Sequence, residues 1–338
     1  PSSLARDEVR VQVHDPDTIH IDGRALPALR VTLSFKGAEQ TAWLDDSGQV
    51  LREEGLLGIR QERTTARDAA SPLAEAGGRD LLEAAAIVPE GPMPSPEGLS
   101  RPRVRLTGAA LDGLALAGGR QSFDQGVLTI IREDLPAAGQ DSAPPEAELA
   151  PFLAAEDFIQ ADHPTIRARV EALSPPGATP LERLRAIVDW IRTNIQRRPV
   201  IAVPAALATL QAGIGDCNEH AVLLAAMARA ADLPTAIEAG LVYQDGRFFY
   251  HAWNRVFVGR WVTADAVLGQ IPADVTHIRL VEGGPAAQLD LLGLIGRLSI
   301  AVVDFHPSPP APQASRGVTS SPATTTPAPG VTVQHAAD

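Results

Sequence analysis

The chain has 338 residues, a hydrophobic fraction of 45% and a formal net charge of −12 at pH 7. This length allows two domains with separate cores. The excess of acidic residues disfavours nucleic acid and anionic membrane surfaces as partners, because both need a basic face. No apolar run approaches the roughly 18 residues that a membrane-spanning helix requires.

The single cysteine, Cys217, excludes an intramolecular disulfide and a zinc site built from several cysteines. One cysteine fits both oxidising and reducing compartments. Because the chain begins at Pro1 rather than at methionine, we expect that a preceding segment has been removed, together with any export signal in it. We favour a cell-envelope or secreted location and keep a cytoplasmic one open.

The first part of the chain, residues 1–135, is predicted to be β-rich. Apolar and polar residues alternate over 9–13, and this period of two predicts antiparallel strands with one face in solvent. A hairpin is predicted to turn at residues 46–48, which read Asp-Ser-Gly. The segment 71–86 has a more helical pattern, and a Pro-rich stretch near 89–103 divides the region into two sub-segments.

A second segment rich in Pro and Ala, residues 136–151, is the predicted linker to a second domain over 152–305. In that domain a helical spacing of apolar residues comes first and strand-like segments follow. A helix is predicted to begin at Thr179, where Glu182 completes a capping box, and its apolar residues then fall on one face. A short helix follows Pro204, and another helix runs from the glycine turn that precedes Cys217 to Ala231.

Three strand-like segments follow these helices, at 235–243, 247–258 and 261–267. A last helix is predicted near 286–297. From His306 to Asp338 the chain is rich in Pro, Ser, Thr and Ala without an apolar period, which predicts a disordered tail.

The stretch "GIGDCNEH" places Cys217 at the predicted start of a helix that Asp216 caps. A thiol reacts as its thiolate, and a helix N-terminus stabilises that anion through unpaired N–H groups and the helix dipole. Gly213 and Gly215 would let the backbone approach another surface closely. The alternative is a small buried side chain, which is the usual role of a free cysteine.

A cysteine nucleophile needs a base, and the base needs an acceptor that orients it. His251 and Asp265 lie on adjacent predicted strands. A three-residue turn at 258–260 would pair Phe257 with Trp261, which places His251 and Asp265 on one face as diagonal neighbours. A two-residue turn would put them on opposite faces. A half-buried strand histidine beside an unrelated carboxylate is the alternative.

Other histidines compete for these roles. His220, three residues after Cys217 on the same helix, is a second candidate partner for the sulfur. A C-x-x-H pair is too little for zinc, so we expect no metal site. His163 and His277 lack a partner pattern.

The run "GDCNEHAVLLAAMARAADLPTAIEAGLVY", followed by "YHAWNRVFVGRWVTADAVLGQ", resembles the transglutaminase-like domain of the papain-like cysteine enzymes. The shared motifs are the Gly-x-Cys helix start, the helix end over 229–234, the His-Ala-Trp strand and the Trp-Val-x-x-Asp strand. The resemblance covers about residues 152–285. It implies an α+β fold with helices packed on an antiparallel sheet, here preceded by the β-rich N-terminal region.

The resemblance implies that Cys217 is the nucleophile, that His251 is the general base and acid, and that Asp265 holds the imidazole. The Cys217 N–H would form an oxyanion hole with a second donor, for which Gln211 and Trp190 are the two candidates. The residues expected to border the substrate site are Gly215, Asp216 and Trp253. No cofactor is implied, and calcium dependence, known from animal members, lacks an Asp-rich loop here.

The implied activity is acyl hydrolysis or transfer on peptide or glutamine carboxamide bonds of a protein or peptide substrate, with hydrolysis slightly favoured by analogy. The alternative is a non-catalytic cell-envelope binding or scaffold protein that keeps this core. Three positions depart from the family pattern: Ala266 replaces a proline, Arg255 a glutamate and Asp232 a glycine.

Overall fold

The computed structural model describes residues 8–307 except 22, 37, 56–59, 65–84, 137–143, 199 and 201–202. They belong to one compact unit, Pro1–Ser308, and the second unit, Pro309–Asp338, lies outside them. The predicted helix at 71–86 falls almost wholly outside the described residues, and so does the predicted tail from 308 onward. No helix within the described ranges is long and apolar enough to cross a membrane.

The chain first forms a five-stranded antiparallel sheet in the order β1-β2-β3-β4-β5. Its strands are β1 (Arg10–Ile21), β2 (Arg24–Phe35), β3 (Ala38–Leu44), β4 (Val50–Glu54) and β5 (Arg60–Glu62). The predicted hairpin is present between β3 and β4, where Gly48 has a φ of +77° and the Asp45 side chain accepts backbone N–H bonds from the turn. A small apolar cluster holds this sheet; it comprises Ile19, Ile21, Ala28, Trp43 and Leu51.

A second antiparallel sheet has the order β15-β6-β8-β7. Its strands are β6 (Leu99–Thr107), β7 (Gln121–Asp124), β8 (Val127–Ile130) and β15 (Ser299–Pro307). Strand β6 alternates buried Val104 and Leu106 with outward arginines, because only one face of the sheet meets the core. Strand β6 precedes residues 136–151 in the sequence and β15 follows them, so this sheet contains strands from both predicted domains. The domain boundary at 136–151 stays a prediction.

The helices are α1 (Glu146–Leu149), α2 (Pro164–Leu173), α3 (Pro180–Asn194), α4 (Ala206–Ala212), α5 (Cys217–Ala230) and α6 (Pro285–Gln288). The predicted capping box of α3 is confirmed: Thr179 Oγ1 accepts from the Glu182 N–H, and Glu182 accepts from the Thr179 N–H at 2.8 Å. Helix α5 is buried on all sides from Glu219 to Arg229, so it runs through the centre of the core. The chain leaves it through Asp232, which takes a left-handed φ of +60° where the family has glycine.

The third sheet is antiparallel, with the order β13-β12-β11-β14. Its strands are β11 (Thr235–Gln244), β12 (Arg247–Phe257), β13 (Trp261–Ala264) and β14 (Ile278–Glu282), and a two-residue parallel pair, β9 (Gln196–Arg197) and β10 (Ile214–Gly215), precedes α5. All of Thr235–Val242 is buried, so both faces of β11 are covered. Helix α5 covers one face, where Asn254 donates to the Ala221 carbonyl at 2.9 Å, and residues of the second sheet contact β14. The α+β fold with helices on an antiparallel sheet is therefore confirmed.

One continuous core joins the second sheet to α5 and the third sheet, and it includes Leu128 of β8 with no exposed surface. We expect Leu128→Ala to lower the free energy of unfolding by about 2–5 kcal/mol, because it leaves a cavity in this shared core. Urea unfolding followed by circular dichroism and by tryptophan fluorescence measures the change. Both signals should shift together; an unfolding step seen by circular dichroism that leaves the tryptophan fluorescence unchanged would contradict a shared core.

Candidate active site

Cys217 is the first residue of α5, and the turn before it is fixed by a capping box. The Asp216 side chain accepts from the Asn218 N–H at 2.8 Å, and the Asp216 N–H donates to Glu219 Oε2 at 2.9 Å. Gly215 is required by this arrangement, because a Cβ there would clash with the Glu219 Cβ. The predicted cap at Asp216 is confirmed, and Glu219 completes it.

The sulfur of Cys217 is half-exposed at this helix start. The Cys217 N–H belongs to the first helical turn, where amides have no acceptor within the helix. No side chain or carbonyl of the described residues accepts it. The arrangement therefore presents a thiol and a free N–H together at the positive end of the helix dipole.

His251 and Asp265 are brought together by the turn between β12 and β13. The observed register pairs Phe257 with Trp261 and Asn254 with Ala264, so the turn has three residues, the alternative that places His251 and Asp265 on one face. His251 Nε2 lies 2.7 Å from Asp265 Oδ2, and both side chains are buried. The side chain of Cys217 contributes to the raised pKa of this ring. Since Nε2 is taken by Asp265, the ring nitrogen left for the sulfur is Nδ1.

The charges in this chain of contacts shift the pKa of both buried groups. Burial opposes protonation of His251, but the charge and hydrogen bond of Asp265, with a further contribution from Cys217, raise its pKa to about 10. Burial opposes ionisation of Asp265, yet its interactions with His251 and with His277 hold its pKa well below the usual range. The histidine is therefore a cation and the carboxylate an anion at neutral pH.

Asp265 is held by four donors. Its Oδ1 accepts from the backbone N–H groups of Val267 at 2.7 Å and Leu268 at 3.0 Å. Its Oδ2 accepts from His251 and, at 3.0 Å, from His277 Nε2. Ala266 stands where the family has proline, and the loop after it still supplies the two amides.

The sequence analysis missed His277. Its side chain has no exposed surface, and its Nδ1 lies 3.3 Å from Asp274 Oδ1. The signal in the sequence was the segment "ADVTHIRL", in which Asp274 and His277 sit three residues apart before a buried strand. Nothing in that spacing indicates that the ring would turn toward Asp265, twelve residues earlier.

Trp253 lies behind the histidines rather than on an open surface. It is 1% exposed, its ring stacks on His251 at 6.2 Å between centroids, and it meets the His277 ring edge-on at 5.0 Å. Its Nε1 donates to Glu238 Oε2 at 2.8 Å. Arg279 Nη1 donates to the other oxygen of Glu238 at 3.2 Å. The expectation that Trp253 borders the substrate site stays a prediction; in the structure its ring packs against both imidazole rings.

Arg255 continues this polar layer along β12. Its guanidinium donates to Glu282 at 2.8 Å, lies 3.6 Å from Glu238 and stacks over the Trp261 ring at 4.3 Å. Where the family has a glutamate at this position, the chain therefore has a cation between two carboxylates.

His220 and the two oxyanion candidates lie apart from this chain of contacts. His220 is 2% exposed, and its Nδ1 is 2.6 Å from the Asp216 carbonyl, so it braces the first turn of α5. Trp190 and Gln211 line one surface cavity with Arg169, and Cys217 does not line it. The second oxyanion donor stays a prediction.

The three side chains of His251, Asp265 and His277 also form the one group within the described ranges that has donor atoms close enough for a metal ion, all within 4.8 Å of one another. The nitrogen-to-oxygen separations of 2.7 and 3.0 Å are hydrogen-bond lengths. Each imidazole therefore presents an N–H to the carboxylate rather than a lone pair to an ion.

Burial of Glu219, reinforced by its hydrogen bond to the Asp216 side chain, raises the pKa of this carboxyl to about 7. Because the folded state then binds a proton that the unfolded chain releases near pH 4.5, stability should fall as pH rises from about 4.5 to 7. Glu219→Gln keeps the acceptor for the Asp216 N–H and cannot titrate. We expect its stability relative to the wild type to increase over that pH range in urea unfolding.

Glu182→Gln is the matched control, since Glu182 completes the capping box of α3 and its hydrogen bonds with Thr179 lower its pKa. Its stability relative to the wild type should fall as pH rises toward about 4.5 and stay constant between about 4.5 and 7. Parallel curves for the two variants would contradict the assignment.

Comparison with known proteins places these residues in a family. Residues 167–266 match the family model described as the transglutaminase-like superfamily, and this range includes Cys217, His251 and Asp265. No curated protein sequence matches the chain.

Three solved structures are similar at low identity. A proposed cysteine protease from Cytophaga hutchinsonii is 15% identical with a TM-score of 0.39, over 62% of this chain and 86% of that one. The periplasmic domain of TgpA from Pseudomonas aeruginosa is 14% identical with a TM-score of 0.37, over 79% of this chain and 89% of that one. A proposed protease from Parabacteroides distasonis is 11% identical with a TM-score of 0.28, over 79% and 71%. The family match, and not these distant structures, assigns residues 167–266 to a transglutaminase-like superfamily domain.

Proposed function

We propose that the protein is a cysteine-dependent acyl hydrolase or transferase that acts on peptide or glutamine carboxamide bonds through a thioester on Cys217. The observation that carries this proposal is the bond of His251 to the buried Asp265, together with a partly exposed Cys217 at a helix start that acts on the pKa of the same imidazole. The family match supports it, because the matched range contains all three residues.

In this proposal the Cys217 thiolate attacks the carbonyl carbon of the substrate while His251 carries the proton that left the sulfur. The carbonyl oxygen becomes an oxyanion, which the free Cys217 N–H is placed to receive. His251 then gives its proton to the departing amine or ammonia, the carbon–nitrogen bond breaks, and the acyl group remains on sulfur as a thioester.

The second half of the reaction replaces the amine with another nucleophile. His251 takes a proton from water or from a primary amine as that molecule attacks the thioester, and the thiolate leaves. Water gives peptide cleavage or deamidation, whereas an amine gives a cross-link. Both outcomes use the same three residues, and these residues therefore do not distinguish hydrolysis from cross-linking. We favour hydrolysis by family analogy alone.

Asp265 has an electrostatic role in both halves. It receives no proton in the cycle; its buried negative charge stabilises the imidazolium that forms when the sulfur is deprotonated. A protonated His251, with a pKa of about 10, places a positive charge near the Cys217 sulfur. In this proposal that charge activates the sulfur as a nucleophile.

The first test is the rate at which iodoacetamide alkylates Cys217 as a function of pH; the single cysteine makes the label unambiguous. We expect the wild type to react rapidly down to about pH 6, and His251→Ala to lose rate below about pH 8.5, where an ordinary thiol becomes protonated. Cys217→Ser is the unlabelled control. Superimposable profiles for the wild type and His251→Ala, both rising near pH 8.5, would refute the proposed activation.

The second test reads the fate of the thioester. A peptide library and a labelled primary amine are incubated with wild type and with Cys217→Ala, and mass spectrometry measures cleavage, deamidation and amine incorporation in the same samples. We expect at least one product that requires Cys217, with hydrolysis exceeding amine incorporation. A reactive Cys217 without any product over the library would favour the non-catalytic binding role.

A further inference from the structure

The carboxylate of Asp265 has two imidazole donors, and the proposed reaction uses only one of them. His251 Nε2 and His277 Nε2 both bind Asp265 Oδ2, at 2.7 and 3.0 Å. His277 lies eleven residues beyond the range that the family model matches, which ends at 266. A second histidine on this oxygen therefore needs its own explanation.

His277 cannot touch a substrate, because its side chain has no exposed surface. Two rings pack against it: Trp253 meets it edge-on with 5.0 Å between ring centroids, and the centroid of the His251 ring lies 5.9 Å away. Its Nδ1 faces Asp274 Oδ1 at 3.3 Å. The ring is thus fixed between two carboxylates, with its Nε2 directed at Asp265.

Asp274 is itself immobilised. Its Oδ1 accepts from the N–H and hydroxyl of Thr276 at 2.8 and 2.6 Å, and its Oδ2 accepts from Gln270 at 3.0 Å. Burial opposes ionisation of Asp274, but its contact with His277 and these bonds keep its pKa well below the usual range. The charged and titratable groups that face His277 are therefore Asp265, Asp274 and His251, with Arg120 bound to its backbone carbonyl.

The second sheet holds the backbone on both sides of this contact. Arg120, directly before β7, donates to the carbonyls of Ala273 at 2.6 Å and His277 at 3.2 Å. It lies 3.6 Å from Glu133, which accepts from the Thr263 N–H at 3.0 Å, two residues before Asp265. One ion pair thereby connects the segment that carries His277 to the strand that carries Asp265.

We propose that His277 is a positioning residue for the reaction assigned to Cys217: it fixes the Asp265 carboxylate in the orientation that serves His251. This inference rests on the proposed function. Two backbone amides donate to Oδ1 and two imidazoles donate to Oδ2. Each of the four lone pairs of the carboxylate therefore has a donor, and together the four donors fix its orientation. Without His277 a buried, charged carboxylate would lose one donor, which costs more than an exposed hydrogen bond.

The test compares two amides at position 277. His277→Gln places its amide nitrogen near the position of Nε2, within reach of Asp265. His277→Asn is one methylene shorter and places its amide near Nδ1, toward Asp274. The measured quantity is the alkylation rate of Cys217 by iodoacetamide between pH 5 and 9, with thermal melts of each variant.

We expect His277→Gln to react within about threefold of the wild type at pH 6–7 and His277→Asn to react about tenfold more slowly, the range expected for loss of a hydrogen bond to a charged group. The same substitution is repeated in an Asp265→Ala background, where it should have no further effect because the acceptor is gone. An equal fold-loss in both backgrounds would show a merely structural role and would overturn the proposal.

Two other results would also overturn it. Equal rates for the Gln and Asn variants in folded protein would show that the donor to Asp265 does not matter. One equivalent of zinc bound by the wild type but not by His277→Gln, with loss of Cys217 reactivity, would assign His251, Asp265 and His277 to a metal instead. If Cys217 of the wild type reacts as an ordinary thiol, the proposed function itself is refuted. If the wild-type Cys217 is reactive and only the results for the His277 variants differ from those expected, the inference about His277 alone is refuted.

Should His277→Asn be unfolded at the assay temperature, nitrogen-15 NMR of ring-labelled wild-type protein decides the question. The proposal requires a proton on His277 Nε2 at pH 7, and its signal is assigned by its loss in His277→Gln. An unprotonated Nε2 would contradict the donor role.

Discussion

The charge of one buried carboxylate organises the candidate site. Asp265 has no exposed surface, and an isolated anion in that position would be strongly destabilising. Two imidazole donors and two backbone amides compensate for the lost water. The two amides belong to the loop that follows Asp265, one imidazole comes from β12 and the other from residue 277. The register of β12 with β13 and the path of residues 266–277 therefore both serve this carboxylate.

The second sheet has a clear structural place in this arrangement. It meets the third sheet at the edge strand β14, where Gln121 exchanges hydrogen bonds with the backbone of Arg279. Arg279 in turn donates to Glu238, which accepts from Trp253, and the Trp253 ring stacks on His251. A path of direct contacts therefore connects the second sheet to the candidate base. Residues outside the range 167–266 thus help to hold the side chains of the candidate site in place.

Local patterns predicted local structure well. The capping boxes at Thr179 and Asp216 were readable because both partners lie within one helical turn. The register that joins His251 to Asp265 followed from a turn length and a period of two. These features depend on residues that are close together in the sequence, and such local patterns can be recognised in a single sequence.

Long-range contacts were not predictable in the same way. The pairing of β15 with β6 joins residues about 200 positions apart, and the turn of His277 toward Asp265 depends on a loop whose path no period encodes. Trp190 and Gln211 were proposed from family roles, and in the structure they line one cavity. The sequence also did not show that Glu238 lies opposite Trp253 and accepts its N–H.

The central claim is that Asp265 maintains a thiolate on Cys217 through a protonated His251. The most direct measurement is the difference in absorbance at 240 nm between the wild type and Cys217→Ser across pH 4–10, repeated with Asp265→Asn. We predict one thiolate in the wild type at pH 6, and none at that pH in Asp265→Asn. A thiolate that appears only as pH rises through about 8.5, in both proteins alike, would contradict the account.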